Sequence, residues 1–259
     1  MSKHHTQRPT ASRRAFGIVA ACALVLALCG PLHAREVVLA TTAWVPYIGL
    51  GLPGQGYVAE VAREALARSG HSLRLVFLPW ARAVHMARQG KVDGYLPEYD
   101  SPELRRKFLF SAPFPGGPVG FFKRRGTPEI NTRELDSLKP YRIGVVRGYV
   151  NTPEFDARTD LDKHYANDDE ANLRMLLAGR IDLILADMHV GWRLARQHSP
   201  EAAAGIEFVQ PPLAQKNLHA CFASRLPQAE TLRREFDDGL RQLVRDGTLA
   251  RLRARHGLN

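Results

Sequence analysis

The apolar positions of this chain follow two alternating periods, and the alternation predicts an α/β fold. Short runs such as "EVVLATT" (residues 36–42), "SLRLVFL" (72–78) and "YRIGVV" (141–146) have the composition and length of strands. Between the first two runs, apolar residues recur at helical spacing: Val58, Val61, Ala62, Ala65 and Leu66. Because strands alternate with helices, we expect mainly parallel sheets flanked by helices.

One sequence pattern occurs twice. "GKVDGYL" (90–96) and "GRIDLIL" (179–185) both contain glycine, a cation, a β-branched residue, aspartate and then a short apolar strand. A predicted helix precedes each copy and stops at its glycine, and the second helix begins at an Asp168 N-cap. The repetition predicts two similar α/β units. We expect Asp93 and Asp182, which occupy the same place in the two copies, to serve the structure.

Two extended segments are predicted to join the units, "VGFF" (119–122) and "IEFVQPPL" (206–213). The second unit is then an insertion in the first, with lobe 1 formed by residues 35–121 and 214–259 and lobe 2 by residues 122–213. The cleft between two such lobes is the natural place for a ligand. A helical stripe near the C-terminus is expected to return to lobe 1: Leu232, Phe236, Leu240, Leu243 and Val244.

Residues 1–34 have the pattern of a secretory signal peptide. Cations without any acid precede an apolar run from Ala15 to Leu28, and a small residue, Ala34, follows. The segment "SRRAFGI" is similar to a twin-arginine export signal, with the general secretory route as the alternative. We expect cleavage after Ala34 and a periplasmic protein, in which Cys221 is left alone and no internal disulfide forms.

Charge and motifs exclude several classes of function. The formal net charge is +10, but beyond the leader the basic residues are interleaved with acids, whereas nucleic-acid binding favours a clustered basic stripe. The sequence has no nucleophile-elbow serine, no phosphate-binding lysine loop and no histidine pair at zinc-site spacing. We therefore expect no nucleic acid, no metal and no cofactor, and a monomer.

Six motifs occur in an order and at a spacing that resemble one family: "WVPYIG", "LPWARAVHMARQGKVDG", "SPE" followed by "FSAPF", "IGVVRGYVNTPEF", "GRIDLILAD" and "DGTLARLRARHG". The family is that of the periplasmic solute-binding proteins that include the polar amino-acid receptors of ABC transporters, the bacterial extracellular solute-binding proteins of family 3. The resemblance implies a type II periplasmic-binding-protein fold, with two lobes joined by two crossing strands. It also implies a small polar solute and a membrane permease as partners.

The resemblance implies ligand contacts at two further places. "RGYVNTPEF" matches the family's phosphate-loop-like turn, where Thr152 as N-cap and Pro153 at the first helical position leave N–H groups that favour an anion. A capped helix without a ligand is the alternative. Asp187, which closes "GRIDLILAD", matches the carboxylate that commonly receives a ligand's ammonium, and its alternative is an ordinary strand-ending aspartate. Arg147 could bind an anion.

The chain departs from the family at the position that usually clamps the ligand's carboxylate. The family reads "TPER" or "SPER" there, and this chain has Leu104 in place of the arginine. Arg105 cannot simply replace it, because one helical step turns a side chain by about 100°. We therefore predict that Arg105, Arg106 and Lys107 form a solvated face.

The cleft is instead predicted to be aromatic and acidic. Its candidate residues are Trp44, Tyr47, Trp80, Tyr95, Glu98, Tyr99 and Tyr149. Aromatic faces with one or two carboxylates suit an amine or another cation, although Trp80 and Tyr95 could also belong to the core. We expect a solute whose amine is held by Asp187, with Glu98 or the aromatic faces helping.

Two other functions remain open at this level. The same fold resembles cyclohexadienyl dehydratases, in which a cleft carboxylate can act as general acid, and Glu98 is then the candidate. The protein could also present its solute to a membrane sensor. Of the three readings, reversible binding without turnover and delivery to a transporter is the prediction.

Overall fold

The computed structural model describes Met1 and residues 34–258, so almost all of the predicted signal peptide lies outside the described residues. The strands are β1 Glu36–Thr41, β2 Ser72–Phe77, β3 Gly94–Glu98, β4 Phe108–Phe110, β5 Phe114–Arg124, β6 Ile143–Val146, β7 Lys163–Ala166, β8 Leu183–Asp187, β9 Ile206–Phe208 and β10 Ala214–Ala223. The helices are α1 Tyr57–Ala67, α2 Trp80–Arg88, α3 Pro102–Arg105, α4 Pro153–Asp156, α5 Asp169–Leu177, α6 Met188–His198, α7 Pro200–Gly205, α8 Ala229–Arg245 and α9 Thr248–Arg255. None of the described helices is both long and apolar enough to cross a membrane.

The strands form one hydrogen-bonded path that has a parallel group at each end. Its order is β2-β1-β3-β10-β5-β8-β6-β7, with β4 beside β10 and β9 beside β5. Pairing is parallel among β2, β1 and β3 and among β7, β6 and β8, whereas β5 and β10 are antiparallel to their neighbours. The predicted two-lobed α/β architecture is confirmed. We use lobe 1 for the half built on β1–β3 and lobe 2 for the half built on β6–β8, and the residue boundaries given above stay predictions.

The first predicted crossing strand is confirmed and the second is wrong. β5 contains "VGFF" and pairs with β10 near its start and with β8 towards its end. In the segment 206–213, only β9 is a strand, and it pairs with the end of β5 inside lobe 2. The second crossing is β10, which pairs with β5 and then with β3 and β4 of lobe 1. Pro211 and Pro212 have no N–H to donate to a ladder, so the strand starts only after them.

The repeated aspartates have the structural role that the repetition predicted. Asp93 accepts the backbone N–H of Val38 at 2.8 Å and both guanidinium nitrogens of Arg35 at 2.9 and 3.0 Å. Asp182 accepts the backbone N–H of Arg142 at 2.9 Å and its guanidinium at 2.8 and 2.9 Å. The glycine that opens each copy has a φ of 69°, a left-handed conformation that favours glycine. In both lobes, the aspartate therefore ties the start of one strand to the neighbouring strand.

The C-terminal helices pack on lobe 1, as the apolar stripe predicted. Leu232, Phe236, Leu240 and Leu243 of α8 are buried in the core that α1 also enters. Val244 is an exception, because its side chain is 60% exposed. It follows Leu243 by one helical step, which turns it out of the buried face. Gly239 stands at the closest approach of the two helices, where an added Cβ would lie 2.0 Å from the carbonyl oxygen of Ala65.

We predict that Gly239→Ala destabilises the protein although alanine favours helices. The new methyl group cannot fit against the backbone of α1, and overpacking of this kind costs about 1–3 kcal/mol, or several degrees in melting temperature. Thermal unfolding followed by circular dichroism measures the change, with Val244→Ala on the solvent side of the same helix as control. A Gly239→Ala variant as stable as the control would contradict the close packing.

Candidate functional site

The candidate site lies where the parallel strands of both lobes end. From lobe 1, it receives Trp44 and Tyr47 after β1, Trp80 after β2, Glu98 at the end of β3 and the following Tyr99. From lobe 2, it receives Tyr149 after β6, Asp169 after β7 and Asp187 at the end of β8. In open α/β sheets, the crevice at the carboxyl ends of the strands is the usual place for a ligand.

Asp187 joins the two lobes through neutral donors. Its Oδ1 accepts the N–H groups of His189 at 2.8 Å and Val190 at 3.2 Å, which makes it the N-cap of α6. Its Oδ2 accepts the hydroxyls of Tyr47 at 2.9 Å and Tyr99 at 3.4 Å from lobe 1. Burial raises the pKa of Asp187 to about 7, against the lowering effect of these bonds. We call the group Tyr47, Asp187 and Tyr99 the interlobe clasp.

The clasp depends on a glycine of the first crossing strand. A Cβ at Gly117 would lie 2.2 Å from the hydroxyl of Tyr47 and 2.6 Å from Oδ2 of Asp187. No other residue leaves room for the hydrogen bond at this place. The ring of Trp44 stacks on that of Tyr47 at 4.7 Å between centroids and helps to hold it in place.

Glu98 is buried in lobe 1 and accepts two hydrogen bonds from neutral groups. The Tyr95 hydroxyl donates to it at 3.1 Å and the backbone N–H of Tyr99 at 2.8 Å. Burial raises the pKa of Glu98 to about 8, although both bonds and the positive charge of Lys216 act in the other direction. The carboxyl group therefore carries a proton for most of the time at pH 7.

Asp169 is a third buried carboxylate of the cleft, and the sequence did not predict it. It accepts the hydroxyl of Tyr149 at 3.2 Å, and burial raises its pKa to about 6. The sequence pointed to the preceding Asp168, whose role as N-cap of α5 is confirmed by a 2.7 Å bond from the N–H of Ala171. The signal for Asp169 was the doubled aspartate at a helix start that follows a strand.

Two open cavities flank a narrow one. A cavity of about 600 Å³ is bordered by Glu98, Leu104, Tyr149 and Asn151, and one of about 690 Å³ by Trp44, Trp80, Tyr149 and Asp169. Between them, a space of about 30 Å³, enough to hold a water molecule, is bordered by Trp44, Trp80, Glu98, Tyr99 and Tyr149. Most of the predicted cleft residues thus meet around one opening.

Two of the predicted residues have a core or mixed environment. Tyr95 is fully buried, packs on Phe108 at 4.9 Å between ring centroids and reaches the site only through its bond to Glu98. Trp80 packs on Tyr95 at 5.5 Å and also borders the narrow cavity. The predicted contact of Tyr95 with ligand stays a prediction, and its visible role is to position Glu98.

Some N–H groups of the predicted anion-binding turn already donate hydrogen bonds to side chains of the turn itself. The Thr152 hydroxyl accepts the N–H of Phe155 at 3.2 Å, which confirms the N-cap, but α4 has only one turn. The backbone N–H of Asn151 donates to the carboxylate of Asp156 at 2.9 Å. Arg147 is exposed at the rim of the larger cavity. An anion at this turn would have to compete with Asp156.

The solvated basic face predicted at residues 105–107 is confirmed. Arg105 forms a two-pronged ion pair with Asp100 at 2.5 and 3.0 Å, and Lys107 pairs with Glu103. These side chains are between 35% and 65% exposed, so the pairs add little stability. Leu104 borders the cavity of about 600 Å³ at the position where a clamping arginine was expected.

Comparison with known proteins identifies the family of the chain. The family described as bacterial extracellular solute-binding proteins, family 3, matches residues 51–259, and the chain belongs to this family of solute-binding proteins. No curated protein sequence matches the chain significantly.

Solved structures with the same fold are distant in sequence. A histidine kinase sensor domain with similarity to periplasmic binding proteins has a TM-score of 0.74 at 23% identity, covering 86% of this chain and 96% of its own. An ancestral arginine-binding protein bound to arginine has a TM-score of 0.71 at 18% identity, with coverage of 85% and 97%. The substrate-binding protein of an amino acid ABC transporter has a TM-score of 0.71 at 15% identity, with coverage of 85% and 98%.

We predict that Tyr47→Phe shifts the protein towards an open form. The variant keeps the ring but loses a buried bond to a carboxylate, which is worth about 1.5–3 kcal/mol. Spin labels at the exposed positions Val244 in lobe 1 and Ala178 in lobe 2 report the distance between lobes. Tyr57→Phe is the matched control, because the buried Tyr57 hydroxyl has no partner among the described residues. Equal distance distributions in both variants would contradict the clasp.

We also predict that Glu98→Gln changes how stability depends on pH. The folded pKa of about 8 lies above the ordinary 4.5, so the folded protein holds a proton that the unfolded chain releases. The stability contributed by Glu98 is therefore complete below pH 4.5 and is lost as the pH rises to about 8. Relative to the wild type, the melting temperature of Glu98→Gln should rise across this range, with the exposed Glu64→Gln as control. If the difference in melting temperature between Glu98→Gln and the wild type stayed constant over this pH range, the pKa of Glu98 would not be raised.

Proposed function

We propose that the protein captures a small solute with a cationic amine in the interlobe cleft and delivers it to an ABC-transporter permease from the periplasm. Family membership supports solute binding, and the transporter-associated protein among the fold neighbours supports the partner. The class of solute is proposed from the residues of this chain.

The observation that carries the proposal is a set of three buried carboxyl groups in the cleft. Glu98, Asp169 and Asp187 are 5%, 7% and 4% exposed, and within the described part of the chain none of them forms a salt bridge. Their partners are tyrosine hydroxyls and backbone N–H groups. Ionising such buried groups without a counterion is costly, so a ligand that brings a positive charge favours their ionised form and pairs with it.

The walls of the cleft support the same class of solute. Trp44, Trp80, Tyr99 and Tyr149 border the narrow cavity beside Glu98. Aromatic faces attract cations, most strongly where water is excluded. Leu104 provides no positive charge for a carboxylate, and Arg105 is already paired with Asp100. The chain therefore combines a cation-attracting interior with the loss of the usual anion clamp.

Asp187 can accept a ligand's ammonium group, as predicted, only if some of its existing hydrogen bonds are broken. Its two oxygens already accept four hydrogen bonds, two of them from tyrosines of the other lobe. An ammonium group would reach Asp187 only by displacing those hydroxyls. Glu98, which borders two of the cavities, is the more accessible acceptor.

A sensor function is the second candidate. It is favoured by the histidine kinase sensor domain among the fold neighbours, whose TM-score of 0.74 exceeds those of the two binding proteins described with it. The solute and the cleft would be the same in this case, and only the partner on the outer surface would differ.

We predict that protein purified from the periplasm retains an amine-bearing solute that native mass spectrometry detects. In calorimetry with that solute, affinity should rise from pH 6 to about 8, because binding a cation favours the ionised form of Glu98, whose pKa is about 8. Glu98→Gln should weaken binding by about 2 kcal/mol or more.

Arg105→Ala is the control, because Arg105 lies on the solvated face, and it should leave the affinity unchanged. A retained solute without a cationic group would refute the proposal. Conversion of the solute during incubation would favour the enzyme, with Glu98 as general acid.

A further inference from the structure

Two of the buried carboxylates lie on different sides of the aromatic residues in the cleft. Glu98 borders the narrow cavity and the one of about 600 Å³, and Asp169 borders the one of about 690 Å³. Tyr149 borders all three cavities. Burial, and after it the charges of Asp169 and Glu98, raise the pKa of the Tyr149 hydroxyl, so both carboxylates act on the same short stretch of the cleft.

The aromatic residues between them hold unpaired donors. The indole nitrogens of Trp44 and Trp80 are buried and meet no acceptor with hydrogen-bond geometry in the described residues, although that of Trp44 is close enough to Asp169 to lower its pKa. Both indoles border the narrow cavity, and Trp44 is 9% exposed. An ammonium group only donates, so these donors show room beside the aromatic faces and are not themselves partners for a cation.

We infer that the solute is a short dication, such as a diamine, with one cationic end against Glu98 and the other against Asp169. This inference rests on the proposed amine-binding function and extends it from one charge to two. The chain between the two charges crosses the faces of Trp44, Trp80 and Tyr149.

A second cation fits the interior better than the carboxylate of an amino acid. The cations that border the two larger cavities, Arg106 and Arg147, are exposed at their rims, and Lys163 donates to backbone carbonyls. Lys216 lies 5.5 Å from the centre of the Tyr99 ring and is not among the residues that border the three cavities. A carboxylate inside would therefore meet acids, and like charges in a closed site repel.

The test compares ligands that differ only in charge. Calorimetry at pH 8 would use α,ω-diaminoalkanes of three to five carbons, the monoamines of the same lengths, and the ω-aminoalkanoates in which a carboxylate replaces one amine. We expect one of the diamines to bind roughly tenfold or more tightly than its monoamine, because each end pairs with a buried carboxylate. The aminoalkanoate should bind no better than the monoamine.

Two variants test whether the tighter binding of the diamine depends on Glu98 and Asp169. Glu98→Gln and Asp169→Asn should each reduce the ratio of diamine to monoamine affinity to near one, since either variant leaves one end of the diamine without its partner. Glu64→Gln removes a charge from the exposed face of α1 and should leave the ratio unchanged.

The outcomes separate this inference from the proposed function. If the monoamine or the aminoalkanoate binds at least as tightly as the diamine, the dication is refuted while amine binding stands. If the two variants weaken diamine and monoamine equally, Glu98 and Asp169 do not hold separate ends. If no amine of the series binds and the solute retained by the native protein carries no cation, the proposed function itself fails.

Discussion

The antiparallel pairing of β5 with β10 is the interaction on which the rest of the structure depends. Each lobe has its own parallel strands, and the path of hydrogen bonds between them runs through these two crossing strands. Because the crossing strands continue into the lobes, the carboxyl ends of both parallel groups face one cleft. The same strand β5 carries Gly117, whose missing side chain makes room for the bond between Tyr47 and Asp187. The strand β5 therefore both connects the two lobes and makes room for the hydrogen bond that joins them across the cleft.

Burial makes the ionised form of the cleft carboxyl groups unfavourable, and either a proton or a cationic ligand can offset it. Folding removes Glu98 and Asp169 from water and surrounds them with neutral donors, so each keeps its proton to a higher pH than in the unfolded chain. In the proposed function, part of the free-energy cost of burying these groups is recovered when a cation binds. Sites that bind by charge commonly hold such groups, and here the perturbed carboxyls lie beside cavities and aromatic faces instead of in surface ion pairs.

The sequence predicted the parts of the fold that depend on local or repeated patterns. The duplicated glycine–cation–aspartate pattern gave both lobes and the role of Asp93 and Asp182, because each copy satisfies the same backbone groups. The second crossing was missed because β10 begins with polar, half-exposed residues that carry no apolar period. Asp169 was missed since a helix start allows either of two adjacent aspartates to face the cleft, and only the packing of α5 decides which one does. The resemblance to the family pointed to Trp44 and Trp80. They lie some 36 residues apart in the chain, and no local pattern predicts that they border the same cavity.

In the proposed function, recognition of the solute and closure of the lobes are divided among different carboxylates. Both oxygens of the Asp187 carboxylate accept hydrogen bonds, from the start of α6 and from the opposing tyrosines. These bonds stabilise the contact between the lobes and do not need a solute. A ligand can shift the balance between open and closed forms only through contacts that differ between them. Glu98 and Asp169 come from different lobes, and a solute that touches both supplies such contacts. We propose that the clasp then lowers the remaining cost of closing, while the choice of solute rests with the two carboxylates that border the cavities.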